Sequence, residues 1–178
     1  MRAGVRFGPV LVLMAGLPGA GKTTLSTALG HITGWHVLHK DEVKDAFLSQ
    51  GLVDKEASWH AYEVSFRHIY DILVKKQRSI IFDTSAINPF VLERSQELTD
   101  SAGACLKVVH CHVSENVRFQ RLEGRPDRTG PLDLNALSSE SRLSLFQHLP
   151  KNTLHLNTDC SINACIDIAQ HYLYCSKG

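Results

Sequence analysis

A nine-residue segment near the start of the chain has the residue types and spacing of a phosphate-binding loop. It reads Gly16-Leu17-Pro18-Gly19-Ala20-Gly21-Lys22-Thr23-Thr24 and matches the pattern G-x-x-x-x-G-K-[ST]. Glycines let a backbone turn tightly against phosphate oxygens, and successive N–H groups then form an anion nest. Lys22 can place its charge between two phosphates, and the Thr23 hydroxyl can ligate Mg²⁺. The segment predicts a nucleoside triphosphate site in which all nine residues contact the nucleotide.

A carboxylate, Asp41, follows the predicted second strand. In open α/β sheets, ligands bind beyond the carboxyl ends of the strands, where the phosphate loop also lies. Asp41 can therefore face the terminal phosphate and take the proton of an attacking hydroxyl. The alternative is that Asp41 caps the helix that follows it, which its residue type also suits. The position predicts a general base, with or without a capping role.

A second carboxylate, Asp83, ends the predicted third strand. The apolar run 80–82 leads into Asp83, and two hydroxyl residues, Thr84 and Ser85, come next. An acid at a strand end beside a phosphate loop holds Mg²⁺, directly or through water. The alternative is a cap or turn residue. Asp83 and Thr23 together form the expected magnesium site.

Four arginines lie within eleven residues in the second half of the chain, at Arg118, Arg121, Arg125 and Arg128. They occupy the end of a predicted helix and a loop rich in Gly, Pro and Asp. Arginine makes bidentate contacts with phosphate, and a loop that carries it onto a transferring phosphate acts as a lid. The alternative is a solvated charged surface. We expect a lid over about 118–131, in which Arg121 also contacts the nucleotide.

Apolar runs of strand length alternate with helical patterns along the chain. The expected strands are 10–15, 35–38, 79–82, 106–113 and 153–156. The expected helices are 22–33, 41–50, 57–77, 89–102, 115–123, 134–145 and 161–174. Strands that are apolar throughout and separated by helices indicate a parallel sheet covered on both faces. We therefore expect a three-layer α/β fold that forms a single domain over residues 1–178.

The composition is that of an ordinary globular protein, and the net charge does not favour nucleic acid or a membrane surface as a partner. The net charge of +1 gives no global attraction to nucleic acid or to a membrane surface, so nucleic acid is possible but not favoured. Five cysteines, an odd number without framework spacing, argue against a disulfide scaffold. Cys105 and Cys111 fall in an expected buried strand. No segment reaches transmembrane length, and we expect a cytoplasmic protein.

The phosphate loop, the segment Asp41-Glu42-Val43-Lys44, the Asp83 strand end and the lid arginines together resemble the small P-loop kinases. The resemblance is to the subgroup that contains zeta toxins, chloramphenicol phosphotransferase and the 5′-hydroxyl polynucleotide kinase domain. The resemblance implies a five-stranded parallel sheet of order 2-3-1-4-5, ATP as donor and Mg²⁺ as cofactor. It also implies that Asp41 is the general base and that Lys22, Arg121 and Arg125 stabilise the transferred phosphoryl group.

Lys44 and Arg94 bear on whether the acceptor is a polynucleotide. Many polynucleotide kinases of this group have D-x-x-R after the second strand, and here the fourth residue is Lys44. Lysine does not replace arginine at a bidentate phosphate contact, so the resemblance to polynucleotide kinases is weaker there. Arg94 lies where those kinases often carry an arginine. Lys44, Arg94 and Arg128 are the candidate substrate-binding residues.

The motifs favour ATP-dependent phosphoryl transfer to a hydroxyl group of a small molecule or metabolite. Guanine recognition by N-K-x-D is absent from the sequence, as is the D-G-x-P-R signature of nucleoside monophosphate kinases. One alternative is a polynucleotide 5′-hydroxyl kinase. An alternative of another class is a nucleotide-dependent switch or partner-binding ATPase. The acceptor pocket is expected between the helices of 44–66 and 88–97, and the sequence indicates neither the acceptor nor the oligomeric state.

Overall fold

The computed structural model describes residues 8–123 and 139–174. Five parallel strands form one sheet in the order β2-β3-β1-β4-β5, which confirms the expected fold and strand order. The strands are β1 (Val10–Ala15), β2 (His36–His39), β3 (Ile80–Asp83), β4 (Cys105–His112) and β5 (Leu154–Asn157). Their ends differ from the predicted ones by single residues.

The register of the sheet brings the predicted site residues to one edge. His39, the last residue of β2, is paired with Asp83, the last residue of β3. Ala15, the last residue of β1, is paired with His110 of β4. Because all strands are parallel, their carboxyl ends lie on the same side of the sheet, where ligands bind in such folds.

Helices cover both faces of the sheet. They are α1 (Lys22–Thr33), α2 (Lys40–Leu48), α3 (Asp54–Tyr70), α4 (Pro89–Ala102), α5 (Glu115–Leu122), α6 (Ser139–Ser144) and α7 (Ile162–Tyr174). A π-helical turn, Asp71–Lys75, continues α3. The expected helix at 134–145 is described only as α6, since 134–138 lie outside the described residues.

Alternating side chains of the strands build two apolar layers. Leu11 and Leu13 of β1 pack with α3 and α4 on one face, and Phe146 after α6 joins the same cluster. Val12 and Met14 pack with α1 and α7 on the other face. A central strand buried on both faces explains why β1 is apolar at every position.

One alternative and one expectation about local structure are not observed. The α2 helix begins at Lys40 and its N-cap is His39, so Asp41 lies in the first turn and does not cap the helix. Cys105 begins β4 at an exposed position, because the edge of the apolar run lies outside the packed layer, whereas Cys111 is buried as expected. The four described cysteines are free. In the described part of the chain, no helix has the length and apolarity needed to span a bilayer.

Candidate active site

The loop between β1 and α1 has the backbone of an anion nest. Gly16 has a φ of 136° and Gly19 a φ of 82°, values that side-chain-bearing residues rarely adopt. A Cβ at Gly16 would lie 2.3 Å from the carbonyl oxygen of Cys111, so the loop requires glycine there on steric grounds as well. The Gly16 N–H donates to the Ser85 carbonyl at 3.0 Å, which ties the loop to the end of β3.

The start of α1 is arranged to receive an anion. The helix begins at Lys22 directly after the loop, and within the described residues no side chain caps its first turn. Its N–H groups and its positive dipole end therefore remain directed at the loop. The Lys22 ammonium donates to the Leu17 carbonyl at 3.0 Å, which holds the charge across the nest.

One cavity beside the loop, of about 320 Å³, lies on the α1 and α7 side. It is lined by Gly19, Gly21, Lys22, Thr23, Thr24, Leu25, Arg121, Thr158, Cys160, Ile162 and Cys165. The Arg121 guanidinium donates to the Thr158 hydroxyl at 3.0 Å and to the Thr158 carbonyl at 2.8 Å. The Thr158 hydroxyl donates to the Ala20 carbonyl at 2.9 Å. Thr158 thus joins Arg121, the segment after β5 and the phosphate loop.

Asp83 is buried at the end of β3, and its carboxylate accepts a hydrogen bond from His39 Nδ1 at 2.8 Å. That hydrogen bond raises the pKa of His39, against the opposing effect of burial. A carboxylate at Asp83 and a hydroxyl at Thr23 are hard oxygen donors, the type that Mg²⁺ takes. The residues at this edge of the loop therefore fit a magnesium ion.

Asp41 lies at the start of α2 with its carboxylate 65% exposed. The Lys40 ammonium is 3.5 Å from it and also donates to the Ser58 hydroxyl at 3.2 Å. Lys40 is otherwise buried and lies over the Tyr62 ring at 4.9 Å, and burial lowers its pKa. Sequence reasoning missed Lys40, because a lysine at a strand–helix junction carries no signal of burial.

The candidate substrate-binding residues are only partly described. Lys44 is paired with Asp54 at 2.5 Å, and Arg94 is paired with Glu97 at 2.6 Å on the exposed side of α4. Arg125 and Arg128, with most of the expected lid, lie outside the described residues.

A second cavity, of about 260 Å³, borders the same loop through Leu17 and Ala20. It is lined further by His110, Cys111, His112, Val113, Ser114, Glu115, Arg118, Arg142 and Phe146. Leu17 and Phe146 belong to the apolar layer under α3 and α4, whereas Ala20 and Cys111 belong to the layer under α1 and α7. The second cavity therefore borders the phosphate loop beside α5 and α6, and the first borders it beside α1 and α7. The sequence did not indicate the second cavity, which takes residues from four separate elements and lies outside the helices expected to form an acceptor pocket.

Comparison with known proteins gives the chain a family and a fold. A family model described as an AAA domain, AAA_33, matches residues 11–148. A candidate kinase from Chloroflexus aurantiacus has a similar structure, with 24% identity, a TM-score of 0.70 and coverage of 94% of this chain and 97% of that chain. The APS kinase of Mycobacterium tuberculosis, in complex with AMPPNP and APS, has 17% identity, a TM-score of 0.65 and coverage of 95% and 99%. A gluconokinase from Sinorhizobium meliloti has 17% identity, a TM-score of 0.60 and coverage of 94% and 93%. No curated protein matches the sequence.

Proposed function

The chain belongs to the AAA domain family AAA_33, and on that basis we propose that it is an ATP- and Mg²⁺-dependent kinase whose acceptor is a hydroxyl group of a small molecule. The observation that carries the proposal is the phosphate loop followed by Lys22 and the uncapped start of α1. Two carboxylates follow neighbouring strands: Asp83 ends β3, and Asp41 lies in the first turn of α2, just after β2. They supply the metal-binding acid and the base that phosphoryl transfer needs.

On the donor side, the loop amides and Lys22 bind the phosphates, and Thr23 and Asp83 hold the magnesium ion. The ion neutralises charge on the phosphate oxygens when it is bound. Arg121, fixed by Thr158 in the first cavity, contacts the nucleotide on the α1 and α7 side. Arg125 lies outside the described residues, and the resemblance assigns it to the stabilisation of the transferred phosphoryl group.

On the acceptor side, Asp41 takes the proton of the attacking hydroxyl. Its exposure lets a substrate approach, and the Lys40 ammonium 3.5 Å away orients the carboxylate. Asp41 lies in the first turn of α2 and is not its N-cap, so its carboxylate is open to a substrate. Likeness in fold to a gluconokinase and an APS kinase supports a small-molecule acceptor over a polynucleotide.

The test is phosphoryl transfer from γ-labelled Mg-ATP to a panel of hydroxy metabolites and to an oligonucleotide with a free 5′-hydroxyl. We expect transfer to a metabolite, a loss of about a hundredfold or more in kcat for Asp41→Asn, and a loss of about a thousandfold for Lys22→Met. Glu42→Gln makes the same charge change in the same turn and should retain activity.

Two results would contradict the proposal. Slow ATP hydrolysis that is insensitive to Asp41→Asn, without transfer to any acceptor, would indicate a nucleotide-dependent switch. Preferential labelling of the oligonucleotide, with strong salt sensitivity, would indicate a polynucleotide kinase.

A further inference from the structure

Arg118 is a buried cation that the fold leaves partly without hydrogen bonds. Its side chain is only 3% exposed. Within the described residues, its Nε and Nη2 atoms are buried and have no hydrogen-bond partner. Arginine stays charged in proteins, and each buried donor without a partner costs about 1–3 kcal/mol. Such a group requires an explanation, and a ligand that supplies the missing acceptors is one.

Packing fixes the position of the Arg118 side chain, although two nitrogens of its guanidinium group lack hydrogen-bond partners among the described residues. A Cβ on Gly19 would lie 3.0 Å from Arg118 Cγ, so the aliphatic stem packs directly against the phosphate loop. The guanidinium carbon lies 4.6 Å from the centre of the Phe119 ring. Arg118 is therefore held beside the loop and lines the second cavity, and its Nε and Nη2 have no partner among the described residues.

The residues around Arg118 include a second guanidinium group and an uncharged imidazole. Arg142, also buried, lines the same cavity and is paired with Glu115, a half-exposed carboxylate. Among the lining residues of this cavity that the structure describes, two guanidinium groups face one carboxylate, that of Glu115. Burial lowers the pKa of His110 to about 4, so this wall of the cavity is a neutral imidazole at physiological pH. Phe146 and Leu17 supply apolar surface, which strengthens an ion contact by excluding water.

We propose that the second cavity binds an oxyanion group of the acceptor, a carboxylate or a phosphate ester, through the Nε–Nη2 edge of Arg118 with Arg142 beside it. The anion site itself does not depend on the proposed function. The identification of the anion as part of the acceptor does. Nε and Nη2 form one edge of the guanidinium fork, which matches two oxygens of one oxyanion. The acceptor is accordingly a hydroxy compound with a fixed negative charge.

The location of the cavity suits an acceptor that is anchored at one end and reacts at the other. Leu17 lines the cavity, and its carbonyl accepts the hydrogen bond of Lys22. The charge of Lys22 also contributes to lowering the pKa of His110, so the two groups are within electrostatic range. A molecule bound at Arg118 therefore lies beside the loop that holds the phosphates. The volume of about 260 Å³ suits a metabolite.

The first experiment measures anion binding without turnover. Inorganic phosphate and malonate are each titrated by calorimetry into Lys22→Met, in which the loop site is weakened. We expect saturable millimolar binding that falls at least about tenfold when Arg118→Met is added, as loss of a charge-assisted pair of contacts implies. Arg67→Met, which removes an exposed arginine of α3, is the matched control. The tighter of the two anions identifies the oxyanion, and binding that is absent or indifferent to Arg118→Met would overturn the proposal.

The second experiment uses paired acceptors, the same hydroxy compound with and without its oxyanion group. The wild type should prefer the anionic member. In Arg118→Met its KM should rise about tenfold with KM for ATP unchanged, whereas Arg118→Lys should lie between because it keeps charge without the fork. A rise in KM for ATP alone, or equal use of neutral acceptors, would refute the acceptor assignment. If no acceptor is phosphorylated while Arg118-dependent anion binding persists, the proposed function fails and the anion site stands.

Discussion

Arg118 and Arg121 lie one turn apart on α5, yet their guanidinium groups are in opposite states of hydrogen bonding. Arg121 makes two hydrogen bonds to Thr158 and is held by the protein itself. Arg118 is more deeply buried, and within the described residues two of its nitrogens have no partner. One helix therefore contributes an arginine to each of the two cavities beside the phosphate loop. Arg118 is the proposed anion ligand of the second cavity, and Arg121 forms part of the wall of the first.

Of the changes that separate the two arginines, Arg121→Met is expected to have the largest effect. Removing a guanidinium that lines the proposed nucleotide cavity should raise KM for ATP about thirtyfold, since a hydrogen bond between a charged group and the nucleotide is worth about 1.5–3 kcal/mol. KM for the acceptor should change little. Steady-state kinetics with each substrate varied in turn checks the result, and Arg118→Met should give the reverse pattern. If both variants raised KM for ATP and KM for the acceptor equally, the two arginines would not belong to separate substrate sites.

A smaller effect on the same side is expected from Thr158→Val. The variant keeps the Arg121 contact with the Thr158 carbonyl but loses its contact with the hydroxyl, and the Ala20 carbonyl loses its donor. We expect a rise of about five- to tenfold in KM for ATP and a loss of about 1–2 kcal/mol in the free energy of unfolding. Thr158→Ser, which retains the hydroxyl, should remain close to the wild type in both measurements.

The two arginines should also differ in their effect on stability. Arg121→Met removes satisfied hydrogen bonds and should lower the free energy of unfolding by about 1 kcal/mol. Arg118→Met replaces an unsatisfied buried cation with an apolar group of similar length and should leave stability unchanged or raise it. Denaturant unfolding of both variants is the measurement. A clear loss of stability in Arg118→Met would mean that the residue is structural.

The smallest expected effect is on the pH dependence of stability and concerns His110, which lines the second cavity. Burial, with the positive charges of His155, His112 and Lys22, lowers its pKa to about 4 from 6.5. The unfolded chain therefore binds more protons in this interval, so His110 makes stability fall as the pH drops from about 6.5 to about 4. His110→Phe should flatten that part of the stability curve, measured by denaturant unfolding at stepped pH. A curve of unchanged slope would show that His110 is not a neutral wall of the cavity.

The fold was predictable because its signals are local. Apolar strands that alternate with helices specify a covered parallel sheet, and the phosphate loop is recognisable from consecutive residues. Arg118 and Arg121 are equivalent in sequence, and only packing against Gly19 and Thr158 tells them apart. The buried Lys40 and the neutral His110 likewise depend on neighbours that are distant in the chain. The assigned roles of Asp41, Asp83 and the lid arginines stay predictions.

The central position of β1 also has a consequence for how the protein is made. Leu11 pairs with Ile80 on one side and with Leu106 on the other, so the strand that carries the phosphate loop finds both partners far along the chain. Such long-range pairing folds slowly and leaves strand edges exposed in the meantime. During synthesis, β1 keeps an open edge until Cys105–His112 has emerged. A nascent or truncated chain that stops before this strand is therefore a candidate for edge-to-edge aggregation and for capture by chaperones.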